Sequence, residues 1–122
     1  MNIKCGIDII EISRIKENID NLGNKFLNRI YSQKEIEYCE SKGKQKYQHY
    51  AARFAAKEAT FKAFSNKLDN NIWNWKDYEI INDKNGKPFL NIDKSKFDIQ
   101  DIDISLSHCK DYAIANVAIL FK

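Results

Sequence analysis

The stretch Arg53-Phe54-Ala55-Ala56-Lys57-Glu58-Ala59-Thr60-Phe61-Lys62-Ala63-Phe64 constrains this chain more than any other. It is rich in alanine, lysine and glutamate and free of Gly and Pro, which predicts a helix. At about 100° per residue, Tyr50, Phe54, Phe61 and Phe64 form an aromatic arc. Ala51, Ala52, Ala55, Ala56, Ala59 and Ala63 make a broad small-residue face, and Arg53, Lys57 and Thr60 share the remaining arc. Glu58 and Lys62, at i and i+4, fall between the aromatics and the alanines. A helix apolar on two sides is expected to be buried. Glu58 and Lys62 are therefore expected inside a buried arc, where an acid and a base need a purpose. The bland reading is a helix-stabilising pair, contributing about 0.2–0.5 kcal/mol on an exposed helix.

A chain of 122 residues with 43% hydrophobic composition predicts one domain, residues 1–122, with one modest core. So short a chain buries a small share of its surface when folded alone, a deficit that an oligomer relieves. The net charge of +3 permits an acidic partner or a phosphate-bearing ligand. It is too slight for strong binding to a phosphate backbone, and no stacking motif is present, so no nucleic acid is expected. Cys5, Cys39 and Cys109 are odd in number and form no CxxC or Cys/His cluster, so zinc is not expected and a reducing compartment is. No apolar run approaches about 18 residues, so no membrane span is expected. Residues 1–4 lack the layout of a signal peptide, which places the expected location in the cytoplasm.

Residues 2–10 alternate as a strand, with Ile3, Cys5, Ile7 and Ile9 on one face and Lys4, Gly6, Asp8 and Ile10 on the other. Asp8 is an uncommon strand residue, read either as a capping or strand-end residue or as a functional one. Gly6, two positions earlier on the same face, leaves room for a close approach to the backbone. Residues 11–22 are an amphipathic helix on Ile12, Ile15, Ile19 and Leu22, with Arg14, Lys16 and Glu17 pointing away and Gly23 as its stop. Phe26, Leu27, Ile30 and Tyr31 predict a further helical turn. Ser32-Gln33-Lys34-Glu35 is a capping box that opens a helix ending at Gly43, followed by a basic loop at Lys42, Lys44 and Lys46. After the long helix comes a polar connection at 65–71, and Trp73 and Trp75 are expected at the edge of the core. Strands at 78–82 and 89–92 flank Asn85-Gly86, a strong hairpin signal. Residues 102–107 alternate as another strand, Cys109-Lys110-Asp111 turns, and 112–121 form a last strand that is nearly all apolar and expected to be buried. The order predicts an α+β fold with an antiparallel sheet packed on the long central helix.

Three weak features then stand together: Gly6-Ile7-Asp8, the Arg53-to-Lys62 block, and Ser105-Leu106-Ser107-His108. Two carboxylates from a strand and a helix invite a hard cation such as Mg²⁺, which takes one or two carboxylates, waters and substrate phosphates. Lys62, one turn beyond Glu58, could neutralise phosphate oxygens beside such a metal. His108, at a strand end, could do the same or could be a satisfied edge histidine.

On these residues the chain resembles the holo-acyl-carrier-protein synthases of the 4′-phosphopantetheinyl transferase superfamily. Gly6-Ile7-Asp8, Ala52-Arg53-Phe54-Ala55-Ala56-Lys57-Glu58-Ala59 with Lys62, Asn85-Gly86-Lys87-Pro88, and Ser105-Leu106-Ser107-His108 with Tyr112-Ala113 stand in the family's order and at its spacing, over nearly the whole chain. The resemblance implies transfer of 4′-phosphopantetheine from coenzyme A to a serine of apo-acyl carrier protein, releasing adenosine 3′,5′-bisphosphate, in support of fatty acid biosynthesis. It also implies a homotrimer with its active sites between protomers. Asp8 and Glu58 match the Mg²⁺ ligands, and Lys62 the lysine on the pyrophosphate, which makes Glu58 and Lys62 the catalytic candidates. Arg53 and His108 match positions associated with the nucleotide phosphates, and Gly86, Lys87 and Pro88 a segment lining the adenine pocket. Arg14 matches a basic position on the helix that docks the carrier. Two departures stand out: Ser65-Asn66, where relatives often have glycine, and Cys109, where Thr is frequent.

Such a transfer rests on positioning and charge stabilisation. The serine proton needs an acceptor, and Glu58, directly or through a metal-bound water, is the candidate, with a substrate phosphate as the alternative. Arg53 and Glu58 lie about 140° apart around the helix, so Arg53 of one protomer is expected to serve the site built on Asp8 and Glu58 of its neighbour. Two other readings compete: a nucleotide- or RNA-binding module using the loop at Lys42 to Lys46, which leaves Asp8 and Glu58 without a role, and a catalytically dead trimer subunit, against which the intact Asp8, Glu58 and Lys62 set argues.

Overall fold

The computed structural model describes residues 1–64 and 74–122 and opens on strand β1, Asn2–Glu11. Helix α1, Ile12–Leu22, follows at once. Its first amide donates to Asp111 O at 2.9 Å, tying the helix start to the turn before the last strand. Gly23 ends α1 at φ +56°, a left-handed conformation that glycine adopts without steric cost, and α2 spans Asn24–Ile30. The capping box forms as predicted: Glu35 N donates to Ser32 Oγ at 3.2 Å and Ser32 N to Glu35 Oε1 at 2.8 Å, opening α3, Gln33–Glu40. α3 stops three residues before Gly43, which instead opens a 3-10 turn at φ +60°. The long helix α4, Lys46–Ala63, takes Lys46 out of the expected basic loop.

The remaining strands are β2 (Glu79–Asn82), β3 (Pro88–Asn91), β4 (Ile99–His108) and β5 (Tyr112–Phe121). β1, β5 and β4 form an antiparallel sheet in that order, and β2 and β3 a separate hairpin, giving the expected α+β architecture. The hairpin turns at Gly86, φ +83°, while Asp83 Oδ1 accepts from the amides of Asn85 (2.8 Å) and Lys87 (2.9 Å).

Helix α4 lies across β1 and β5, and its alanines let it lie close. A Cβ on Gly6 would stand 1.8 Å from Ala59 O, so the room that Gly6 leaves is filled by the helix backbone. One core packs Ala55, Ala56, Ala59, Ala63 and Phe64 on Val117, Ile119 and Phe121, with Ile80 and Leu90 of the hairpin at its edge. A second joins α1, α2 and the start of α4 through Ile15, Phe26, Leu27, Tyr31, Tyr50 and Ala51.

Two expectations need correction. The buried charges of α4 are not Glu58 and Lys62. Glu58 is half-buried and the Lys62 side chain is 52% exposed, whereas Arg53, Lys57 and Thr60 are buried. The sheet covers the alanine face, α3 and the hairpin cover the Arg53–Lys57–Thr60 arc, and of the aromatic arc Tyr50 and Phe64 are buried while Phe61 is left toward solvent. Lys57 is satisfied there by Glu35 Oε1 at 2.9 Å and by the carbonyls of Trp75 (2.7 Å) and Tyr78 (3.0 Å). The last strand is buried on one face only. Ala113, Ala115, Val117, Ile119 and Phe121 point into the core, while Tyr112, Asn116 and Ala118 are exposed. On the same outer face of β1, Ile3, Ile7 and Ile9 are also exposed. Trp75 stacks on Phe54 with ring centroids 5.3 Å apart; Trp73 and Ser65-Asn66 lie outside the described residues.

Candidate active site

The close crossing at Gly6 sets the first group of site residues. With the α4 backbone held against Gly6 at Ala59, Asp8 stands two residues along the same face of β1, beside the next turn of α4. Lys62 spans the gap, its Nζ donating to Ile7 O at 2.9 Å and lying 3.2 Å from Asp8 Oδ1. Glu58 joins them. Burial, and then the Asp8 carboxylate, push its carboxyl above the ordinary range, while Lys62 pulls the other way. Two carboxylates therefore lie near enough to act on each other, with Lys62 paired to Asp8, an excess of negative charge that a divalent cation would neutralise. Among the described residues no cluster of three or more His, Cys, Asp or Glu side chains is placed to hold a metal. Two carboxylates with open positions fit Mg²⁺, which keeps several waters, better than a metal needing a full protein cage.

The second group forms elsewhere. Arg53, Gly86, Pro88 and His108 line one cavity of about 190 Å³ with Tyr38, His49, Asn82 and Leu106. None of Asp8, Glu58 and Lys62 lines it. Arg53 is 2% exposed, lies over the Tyr38 ring at 4.1 Å, and donates from Nη2 to Asn82 Oδ1 at 2.7 Å. Its buried Nε has no hydrogen-bond partner among the described residues. Asn82 also donates to Gly86 O at 2.9 Å, so one amide side chain ties the arginine to the hairpin turn. Arg53, Tyr38 and Asn82 continue into a cavity of about 270 Å³ toward Lys34 and Ile80. Lys87 departs from this group: its Nζ pairs with Asp103 at 3.2 Å, outside the cavity. Arg14 is exposed on α1, and Lys16 beside it is engaged with Asp20 at 2.8 Å.

The sequence reading missed Tyr38, His49 and Asn82. His49 carried a usable signal, since it precedes Arg53 by four residues and so shares its arc of α4. Tyr38 and Asn82 carried none, because they arrive from α3 and β2, 44 residues apart.

Residues 4–117 match the 4′-phosphopantetheinyl transferase superfamily. A holo-[acyl-carrier-protein] synthase of Ruminiclostridium cellulolyticum is 44% identical over 98% of this chain and 92% of its own length. Among solved structures, a holo-(acyl-carrier-protein) synthase from Bacillus anthracis in complex with CoA (3′,5′-ADP) superposes with a TM-score of 0.79 at 35% identity, covering 95% of this chain and 94% of its own. The holo-[acyl-carrier-protein] synthase of Helicobacter pylori in complex with coenzyme A gives 0.83 at 31% identity, over 95% and 99%.

Proposed function

The chain belongs to the 4′-phosphopantetheinyl transferase superfamily, among its holo-acyl-carrier-protein synthases, and we propose that it transfers 4′-phosphopantetheine from coenzyme A to a serine of apo-acyl carrier protein. The observation that carries this reading is the meeting of Asp8, Glu58 and Lys62 where β1 crosses α4. The serine oxygen bonds to the phosphorus that bears the pantetheine arm. The bond from that phosphorus to the bridging oxygen breaks, and adenosine 3′,5′-bisphosphate leaves with the electron pair. Lys62 sets a positive charge against the pyrophosphate. Glu58 is one acceptor for the serine proton, within reach of the reacting phosphorus if Lys62 and Asp8 position it there. A substrate phosphate oxygen is the other acceptor. Asp8 and Glu58 would hold Mg²⁺, which supplies charge neutralisation at the pyrophosphate when bound.

The nucleotide lies in the cavity of Arg53, Gly86, Pro88 and His108. In this reading that cavity and the Asp8–Glu58 pair belong to different protomers of a homotrimer, and Arg53 serves its neighbour's reaction centre. The separation of the two groups and the exposed apolar face of β1 and β5 support it. The acidic carrier protein docks on Arg14 of α1, with Lys16 and Arg29, by charge complementarity. The work is done in the cytoplasm, in support of fatty acid biosynthesis.

The test is to incubate the protein with coenzyme A, Mg²⁺ and an apo carrier protein and to weigh the carrier. The expected result is a gain of one phosphopantetheine that requires both Mg²⁺ and Glu58. No gain on any of several carriers overturns the reading in favour of a nucleotide-binding module.

A further inference from the structure

The cavity that holds Arg53 contains a second imidazole with no role so far. His49 is half-buried on α4, one turn before Arg53, and lines the same cavity as His108 of β4. The two rings lie 6.4 Å apart between centroids and are tilted by 52°, so they do not stack. That spacing suits one oxyanion accepting a hydrogen bond of about 2.7–3.2 Å from each ring. Behind them stands Arg53, with a guanidinium nitrogen, Nε, that is buried and unpartnered among the described residues.

We propose that His49 is a specificity residue of this cavity: with His108 and Arg53 it grips a phosphate monoester of the bound nucleotide and so selects coenzyme A over its 3′-dephosphorylated form. The assignment rests on the coenzyme A reading above and adds a residue and a proton to it.

The surroundings of His49 explain the proton. The edge of its ring meets the Tyr38 ring of α3, with centroids 5.6 Å apart. Lys42 from the α3–α4 connection, Arg53 from α4 and His108 from β4 act on it, and Asn82 and Gly86 of the hairpin close the cavity. Burial comes first, and then Arg53, Lys42 and His108 in turn, in lowering its affinity for a proton, so the neutral ring is favoured at pH 7. A phosphate monoester carries about −1.5 to −2 charge at that pH and reverses the balance. Bound His49 then takes up a proton and donates from both ring nitrogens. Binding of coenzyme A therefore strengthens as pH falls from about 8 to 6.5, around the ordinary histidine pKa.

The experiment is isothermal titration of the full-length protein with coenzyme A and with dephospho-coenzyme A, at both pH values and in two buffers of different ionisation enthalpy. The expected result for the unaltered protein is a preference for coenzyme A that grows at the lower pH, with net proton uptake. His49→Gln is expected to lose about tenfold in affinity for coenzyme A, the strength of one charge-assisted hydrogen bond, and little for the dephosphorylated form. His49→Arg, which keeps a cation in place, is expected to retain the preference and to flatten its pH dependence. Equal weakening of both ligands in His49→Gln overturns the assignment, as does proton uptake that the substitution leaves intact. A protein that binds neither ligand overturns the transferase reading itself, and this assignment with it.

Discussion

Gly6 shows how one missing methyl group positions chemistry two residues away. Its Cβ would fall 1.8 Å from the backbone oxygen of Ala59, and backbone on both sides cannot step aside. Gly6→Ala is therefore expected to push β1 off α4 and to cost at least about 1–3 kcal/mol, read as a lower urea midpoint. Glu58 is the opposite case, a residue that works against the fold at neutral pH. Burial and Asp8 raise its carboxyl above the ordinary value of 4.5, so the folded state binds a proton there more tightly than the unfolded state does. Its ionisation costs stability at pH 7, and the cost disappears as pH falls below 4.5. Metal-free Glu58→Gln should thus melt above the unaltered protein at pH 7 and together with it at pH 4. Added Mg²⁺ should raise the melting temperature of the unaltered protein and leave the variant where it was, since only binding to the folded state stabilises it.

Among the elements, α4 joins both site groups because three of its sides are used. Its alanine side meets the sheet. Its Arg53–Lys57–Thr60 side meets α3 and the hairpin, and its Glu58–Lys62 edge opens beside β1. The pin of the second contact is Lys57–Glu35, with both side chains fully buried. Glu35 also accepts from Ile80 N at 3.0 Å, and Lys57 holds the carbonyls of Trp75 and Tyr78, so one ion pair joins α3, α4, β2 and the segment before β2. Lys57→Met leaves a buried carboxylate without its cation and is expected to cost about 3–5 kcal/mol in chemical denaturation. Replacing Glu35 by leucine as well should recover part of that loss, because the unpaired charge goes with it.

At the scale of the whole molecule, Asp8, Glu58 and Lys62 stand outside the cavity that Arg53 and His108 line. If neighbours complete each other's sites, equal amounts of inactive Arg53→Ala and inactive Glu58→Ala protein, refolded as mixed trimers, make about a quarter of the sites whole. Activity near that fraction of the unaltered level is the expected outcome, and none in verified mixed trimers would rule out sharing. The carrier contact is a matter of net charge. Arg14→Glu should raise the KM for the carrier, and added salt should do the same to the unaltered protein.

Much of this was legible along the chain. Asp8, Glu58 and Lys62 could be read because each lies within a turn or a strand repeat of a telling neighbour, and the capping box and the Asn85-Gly86 hairpin are local chemistry that the backbone obeys wherever it is placed. The burial of α4 was misjudged because a helix wheel orders residues around an axis without saying what covers each side. The partners of Arg53 were hidden for the same reason. Sequence alone determined the kinds of element and their order, and it singled out the candidate residues for a metal and a phosphate. Tertiary structure alone decided that Arg53 and Lys57, not Glu58 and Lys62, are the buried charges of α4, that Lys87 turns to Asp103, and that Tyr38, His49 and Asn82 line a cavity with Arg53. Those outcomes depend on contacts between segments far apart in the chain, and local propensity carries no information about them.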